Sequence, residues 1–158
     1  MRLVLDSSVL IAAVRPNEPD HADARRFVER LRSSAATGAV EIFAPAELWL
    51  EVHVVEHRLS GARRGGGHAP GAALEGLPID LVRPDDLDVV TTFLDVLTRK
   101  MRGRRPFANA TDLVYLWAAH HVSAMVVTLD QGMLAYHGVV CDVTRPEHVR
   151  WAEDRARR

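Results

Sequence analysis

A chain of 158 residues, 47% hydrophobic and 26% charged, has a soluble globular composition and is expected to form a single domain over residues 1–158 around one core. Its formal net charge of -1 gives no global basic signal for nucleic acid, although a basic patch balanced by acidic ligands would average to the same value. The one cysteine, Cys141, excludes an intramolecular disulfide and a cysteine-built zinc cage.

Residues 2–5 form a short, mostly apolar run of strand character that stops at Asp6, and a second apolar run over residues 9–14 begins after Ser7 and Ser8. A strand feeding directly into a helix sets Asp6 at the strand's carboxyl end, the edge at which open parallel sheets bind ligands. The alternative is that Asp6 or a serine merely caps the helix. Pro16 ends this helix, because the residue before a proline is biased out of the helical region. A second helix restarts at Pro19-Asp20 and runs to about Ser34. Its Ala24, Phe27, Val28 and Leu31 recur at the spacing of one helical face.

Residues 40–44 read as a second strand, and Pro45 suits the first turn of a third helix. The core stripe of that helix is Leu48, Val52, Val55 and Leu59. Leu50 and Val54 add apolar surface on another side, for a neighbouring element or a partner chain. Residues 60–76, with the Gly65-Gly66-Gly67 triplet and Arg63-Arg64, carry no periodicity and read as a flexible loop. Residues 78–82 are a third strand. Asp85 or Asp86 then caps a helix striped by Leu87, Val90, Leu94, Leu97 and Met101.

Beyond it lie a basic loop over residues 100–105 and a strongly apolar helix over residues 111–121. A strand over residues 124–129, a short helix over 130–136, a last strand over 139–141 and a polar terminal helix over 145–157 complete the chain. Strands alternating with helices predict an α/β layered domain with a central, mainly parallel sheet. An acid at position 6 comes too early for the apolar core of a signal peptide, and no apolar run approaches a membrane span. With a lone cysteine, these features predict a soluble, cytoplasmic protein.

Four acids stand out. The strand-then-acid pattern occurs at Leu3-Val4-Leu5-Asp6 and again at Val126-Val127-Thr128-Leu129-Asp130, so two parallel strands would deliver both acids to one sheet edge. Asp112 falls in the first turn of a helix, where the dipole favours an acid and a capping role is the simpler explanation. Glu51 lies on the flank of the Leu48–Val52–Val55 stripe, and a carboxylate bordering an apolar face needs a partner. Glu47, one turn earlier, lies further toward solvent. Four such acids brought together would repel one another unless a divalent cation neutralised them, and Mg²⁺ and Mn²⁺ prefer oxygen ligands. A metal so held can activate a water for in-line attack on a phosphodiester.

The stretches LDSSVLIA (residues 5–12), APAELWLEV (44–52), ATDLVYLWAA (110–119) and VVTLDQGML (126–134) occur in an order and spacing that resemble the PIN domain. The resemblance is greatest to the VapC-like toxin ribonucleases of toxin–antitoxin pairs. It implies a three-layer α/β/α fold and a metal-dependent endoribonuclease that is a homodimer held inactive by an antitoxin protein. By the same resemblance Asp6, Glu51, Asp112 and Asp130 would be the acidic quartet that holds Mg²⁺ or Mn²⁺ and cleaves RNA, and Ser7 and Thr128 the hydroxyls that support it. Gln131 stands where some relatives carry a further charged residue.

Two other functions compete. One is a PIN-like module that binds RNA or protein without cleaving. The other is a zinc hydrolase, because residues 53–57, HVVEH, spell the H-x-x-E-H pattern in which two histidines bind Zn²⁺. On a helical wheel, however, His53 and His57 lie roughly 130–170° from the core stripe and face away from the Glu51 flank. Lys100, Arg102, Arg104 and Arg105 are candidate RNA phosphate contacts, or simply a solvated basic loop. Trp49, Tyr115 and Trp117 are expected to pack the core, His120-His121 to end a helix, and Cys141 to be a small buried hydrophobe.

Overall fold

Leu3, Val4 and Leu5 are wholly buried, as expected for a central parallel strand covered on both faces. In the computed structural model, which describes residues 1–62, 74–101 and 109–151, they form β1 (Arg2–Leu5). The other strands are β2 (Glu41–Pro45), β3 (Ile79–Val82), β4 (Met125–Val127) and β5 (Val143–Thr144). Among the described residues they make one five-stranded sheet in the order β3-β2-β1-β4-β5, with every pairing parallel. Val4 lies opposite Phe43 on one side and Val126 on the other, which sets β1 at the centre.

The helices are α1 (Ser7–Val14), α2 (His21–Ala36), α3 (Glu47–Ala62), α4 (Leu87–Lys100), α5 (Ala110–His121) and α6 (Gln131–Leu134). From β1 the chain moves outward through β2 to β3, then crosses back and continues through β4 to β5. Right-handed crossovers therefore lay α1, α2 and α3 on one face and α4, α5 and α6 on the other. The contacts agree: α1 packs on α2 and α3, whereas α5 packs on β1, β2 and β4. This is the three-layer α/β/α architecture. The direction of winding changes between β1 and β4, so their following connections diverge to opposite faces and open a crevice at their carboxyl ends. Among the described residues no helix is long and apolar enough to cross a membrane.

The core follows the apolar periodicity of α2, whose Ala24, Phe27, Val28 and Leu31 are all buried. Full burial of a side chain such as Leu31 contributes about 1.5–3 kcal/mol. Four expectations need correction. The α4 stripe holds in part: Leu97 is buried and Leu94 and Met101 pack against the core, but Phe93 is buried with them and Leu87, the first residue of the helix, is exposed. The last strand is Val143–Thr144 and not residues 139–141, because Gly138, at φ 73°, turns the chain and residues 139–141 form the turn that delivers it to β4.

Within residues 145–151 there is only a 3-10 turn, Pro146–His148, after which Trp151 is buried against Phe27, their ring centroids 5.6 Å apart. Residues 60–62, expected in the loop, belong to α3. Residues 63–73 of that loop, Arg102, Arg104 and Arg105, and the chain beyond 151 lie outside the described residues. Lys100 closes α4 and is exposed.

Candidate active site

The crevice between β1 and β4 opens into a cleft of about 470 Å³. Asp6, Glu51, Asp112 and Asp130 all line it, together with Ser7, Ser8, Asn109, Thr111 and Tyr115. The four carboxylates come from four places in the fold: the end of β1, α3, the first turn of α5 and the turn after β4. What each does locally separates helix capping from other roles.

Asp6 occupies the N-cap position of α1 yet makes no side-chain capping bond. The carboxylate is buried, and its Oδ2 accepts hydrogen bonds from the Ser8 hydroxyl and, at 2.6 Å, from the Thr128 hydroxyl. Thr128, fully buried, also accepts the Asp130 amide at 2.9 Å, while the Ser8 Oγ accepts the Leu129 amide at 3.0 Å. These bonds bind the ends of β1 and β4 into one unit. Ser8, which the sequence did not single out, performs the bonding to Asp6, because the phase of α1 turns Ser8 toward β4. Ser7 lines the cleft.

Asp112 is likewise released from capping: Asn109 caps α5, its Oδ1 accepting the Thr111 amide at 2.9 Å and the Asp112 amide at 3.1 Å. Asp130 does cap. Its Oδ1 accepts the Gly132 amide at 2.5 Å and the Met133 amide at 3.1 Å, which fixes the carboxylate at the head of α6. Glu51 is half-buried on the cleft wall, its Oε2 accepting the Tyr115 hydroxyl at 2.6 Å. The partner required of a carboxylate bordering an apolar stripe is thus, in part, a neutral phenol.

The family model of the PIN domain matches residues 3–138. The chain belongs to the PIN domain family. Its fold is also that of VapBC2 from Rickettsia felis bound to a DNA fragment from their promoter, with a TM-score of 0.58 at 10% identity over 92% of this chain and 98% of that one. FitAB bound to an IR36 DNA fragment gives 0.57 at 19% identity, covering 95% and 99% of the two chains. PAE2754 from Pyrobaculum aerophilum gives 0.53 at 17%, covering 90% and 92%. No curated protein matches the chain in sequence.

In this PIN domain the charges that act on Asp6 and Asp112 are those of the other cleft acids. Burial raises the pKa of Asp6; the Ser8 and Thr128 hydroxyls oppose the rise, and Glu51 and Asp130 add to it. Asp112 is pushed from 3.8 to about 6, first by burial and then by the charges of Asp130, Asp6 and Glu51. Burial and the Asp6 and Glu51 carboxylates hold the Tyr115 phenol well above its usual range, so it serves as a neutral donor. Among the described residues no three His, Cys, Asp or Glu side chains stand close enough together to hold a metal as placed. The donor set still fits a hard divalent cation in kind, being all oxygen, of one sign and lining one cleft.

The histidine pair of the PIN domain's HVVEH stretch fits a metal less well. His53 and His57 are both exposed on α3, and the His53 Nδ1 is engaged with the Trp49 carbonyl at 2.9 Å. Tyr115 and Trp117 are buried as expected. Trp49 is not: it is 41% exposed and, with Leu50 and Val54, gives α3 an uncovered apolar side.

Proposed function

We propose that this PIN domain is a Mg²⁺- or Mn²⁺-dependent endoribonuclease. The observation that carries the proposal is the convergence of four carboxylates, from four elements, on one cleft at the sheet's switch point, where the charges acting on Asp6 and Asp112 are those of other acids. Asp6, Glu51, Asp112 and Asp130 would hold the cation. Bound there, it would supply Lewis-acid activation of water and neutralise charge developing on the phosphate.

The protein's own part is preorganisation. Thr128 and Ser8 fix Asp6, the α6 amides fix Asp130, and Tyr115 holds Glu51, so three of the four carboxylates are tethered before a ligand arrives. Water adds to phosphorus and the P–O3′ bond breaks. The departing oxygen takes a proton, leaving a 5′-phosphate and a 3′-hydroxyl with no covalent link to the enzyme. The fold shared with VapBC2 and FitAB supports a toxin of a toxin–antitoxin pair, restrained by a small antitoxin and assembling as a homodimer. The uncovered side of α3 supports a protein partner of either kind.

The test is incubation of structured RNA with the protein and Mn²⁺, with and without EDTA. Products ending in 5′-phosphates that disappear on chelation are expected, and Asp6→Asn should abolish them while leaving the circular dichroism spectrum unchanged. Cleavage that survives both treatments would refute the assignment. A folded protein that binds RNA without cutting it would instead indicate the non-catalytic module.

A further inference from the structure

Tyr115 is wholly buried in α5, yet its hydroxyl emerges at the cleft wall beside two other elements. It donates to Glu51 Oε2 at 2.6 Å, across 64 positions of sequence. Glu51 otherwise hangs on a flexible stem from a helix whose neighbouring cleft residues, Leu50 and Val54, are exposed. A free glutamate there would sample several rotamers, and ordering it on ligand binding would subtract from affinity. One bond from a rigid aromatic ring, held on all sides by the core, removes that freedom in advance.

We infer that Tyr115 is a positioning residue that clamps the Glu51 carboxylate by one oxygen and leaves Oε1 for a divalent cation. The inference rests on the proposed metal-dependent activity and concerns a residue that acts through Glu51. The ring belongs to the core, but the hydroxyl does not. Tyr115→Phe therefore separates the two, keeping the packing and deleting the single bond.

The experiment is calorimetric titration of the full-length protein with Mn²⁺, for wild type, Tyr115→Phe, Glu51→Ala and the double variant, with urea unfolding in EDTA as the folding control. Loss of a group that orients a metal ligand weakens metal binding by roughly 10–100-fold. Tyr115→Phe should show that loss, and on the Glu51→Ala background the same substitution should change nothing further. In RNA cleavage at saturating Mn²⁺, KM for RNA should stay near the wild-type value while the Mn²⁺ concentration for half-activity rises in step with the measured Kd.

If wild type binds Mn²⁺ and Tyr115→Phe binds it equally well, the clamp is overturned and the metal-dependent reading survives. Equal, additive losses on both backgrounds also overturn the clamp, because Tyr115 would then act through the core. If wild type binds no Mn²⁺, that reading fails and takes the clamp with it.

Discussion

Replacing Asp112 by asparagine should stabilise the metal-free protein. Burial and the charges of Asp130, Asp6 and Glu51 lift the Asp112 carboxyl from 3.8 to about 6. At about 1.36 kcal/mol per pH unit, that rise corresponds to a ceiling of roughly 3 kcal/mol. Asp112 is only half-buried, however, and water screens its neighbours, so about 1 kcal/mol is expected. The helix N-terminus pulls the other way by roughly 0.3–1 kcal/mol, which keeps the net small.

A carboxyl whose folded pKa lies above its unfolded value holds its proton more tightly when folded. Its contribution to stability is complete below pH 3.8 and is lost as the pH rises through about 6. Asparagine undergoes no such loss. In urea unfolding with EDTA, Asp112→Asn should therefore exceed wild type by about 0.5 kcal/mol at pH 8, or roughly 1–2 °C in Tm, and most of the gap should close near pH 4. Saturating Mn²⁺ should reverse the order, since a ligand at a hundredfold excess over Kd stabilises by about 2.7 kcal/mol and the variant has one carboxylate fewer. A variant less stable than wild type in EDTA at pH 8 would show that Asp112 is held by favourable charge, and the repelling-cluster argument would fall.

Thr128→Val keeps the shape of a fully buried side chain but removes its bonds to the Asp6 carboxylate, which keeps only that from Ser8, and to the Asp130 amide, so a loss of about 2–3 kcal/mol is expected in urea melts. A loss under 0.5 kcal/mol, comparable to that of a surface substitution, would contradict the role assigned to that hydroxyl. Gly132→Ala would place a Cβ 2.9 Å from Asp130 Oδ1, forcing the carboxylate off the α6 amides. About 1 kcal/mol of stability and a measurable part of the Mn²⁺ affinity should go with the cap, and calorimetry finding both unchanged would count against it. Burial and Asp142 push the Cys141 thiol up to about 12, so its alkylation by iodoacetamide at pH 8 should be roughly a thousandfold slower than that of a free thiol of pKa near 8.5. Rapid labelling of the folded protein would contradict that environment.

The strands were legible wherever burial on both faces leaves a continuous apolar run, as in β1, and the strand-end acids Asp6 and Asp130 were legible for the same reason. Glu51 was legible because a charge interrupts the margin of an apolar stripe. What escaped depends on phase and on distant partners. Ser7 and Ser8 differ by one helical step of ~100°, and only the position of β4 shows which of them reaches Asp6. Tyr115 read as core, correctly for its ring, but nothing local reports that its hydroxyl meets a residue of α3. Two-residue β5 is too short for an alternating pattern to register, so the apolar run before it drew the assignment. Asp112 looked like a cap until Asn109 was seen to occupy that position.

The dispersal of the four acids over β1, α3, α5 and the end of β4 also governs the timing of folding. Polar groups lining a cleft lie outside the packed hydrophobic nucleus, so their contacts are expected to form after the rate-limiting barrier. Their mutual repulsion then bears on the native basin and scarcely on the barrier. Neutralising one acid, or adding a cation that binds all four, would lengthen the lifetime of the folded molecule by slowing the unfolding arm of the chevron, with the refolding arm left nearly in place.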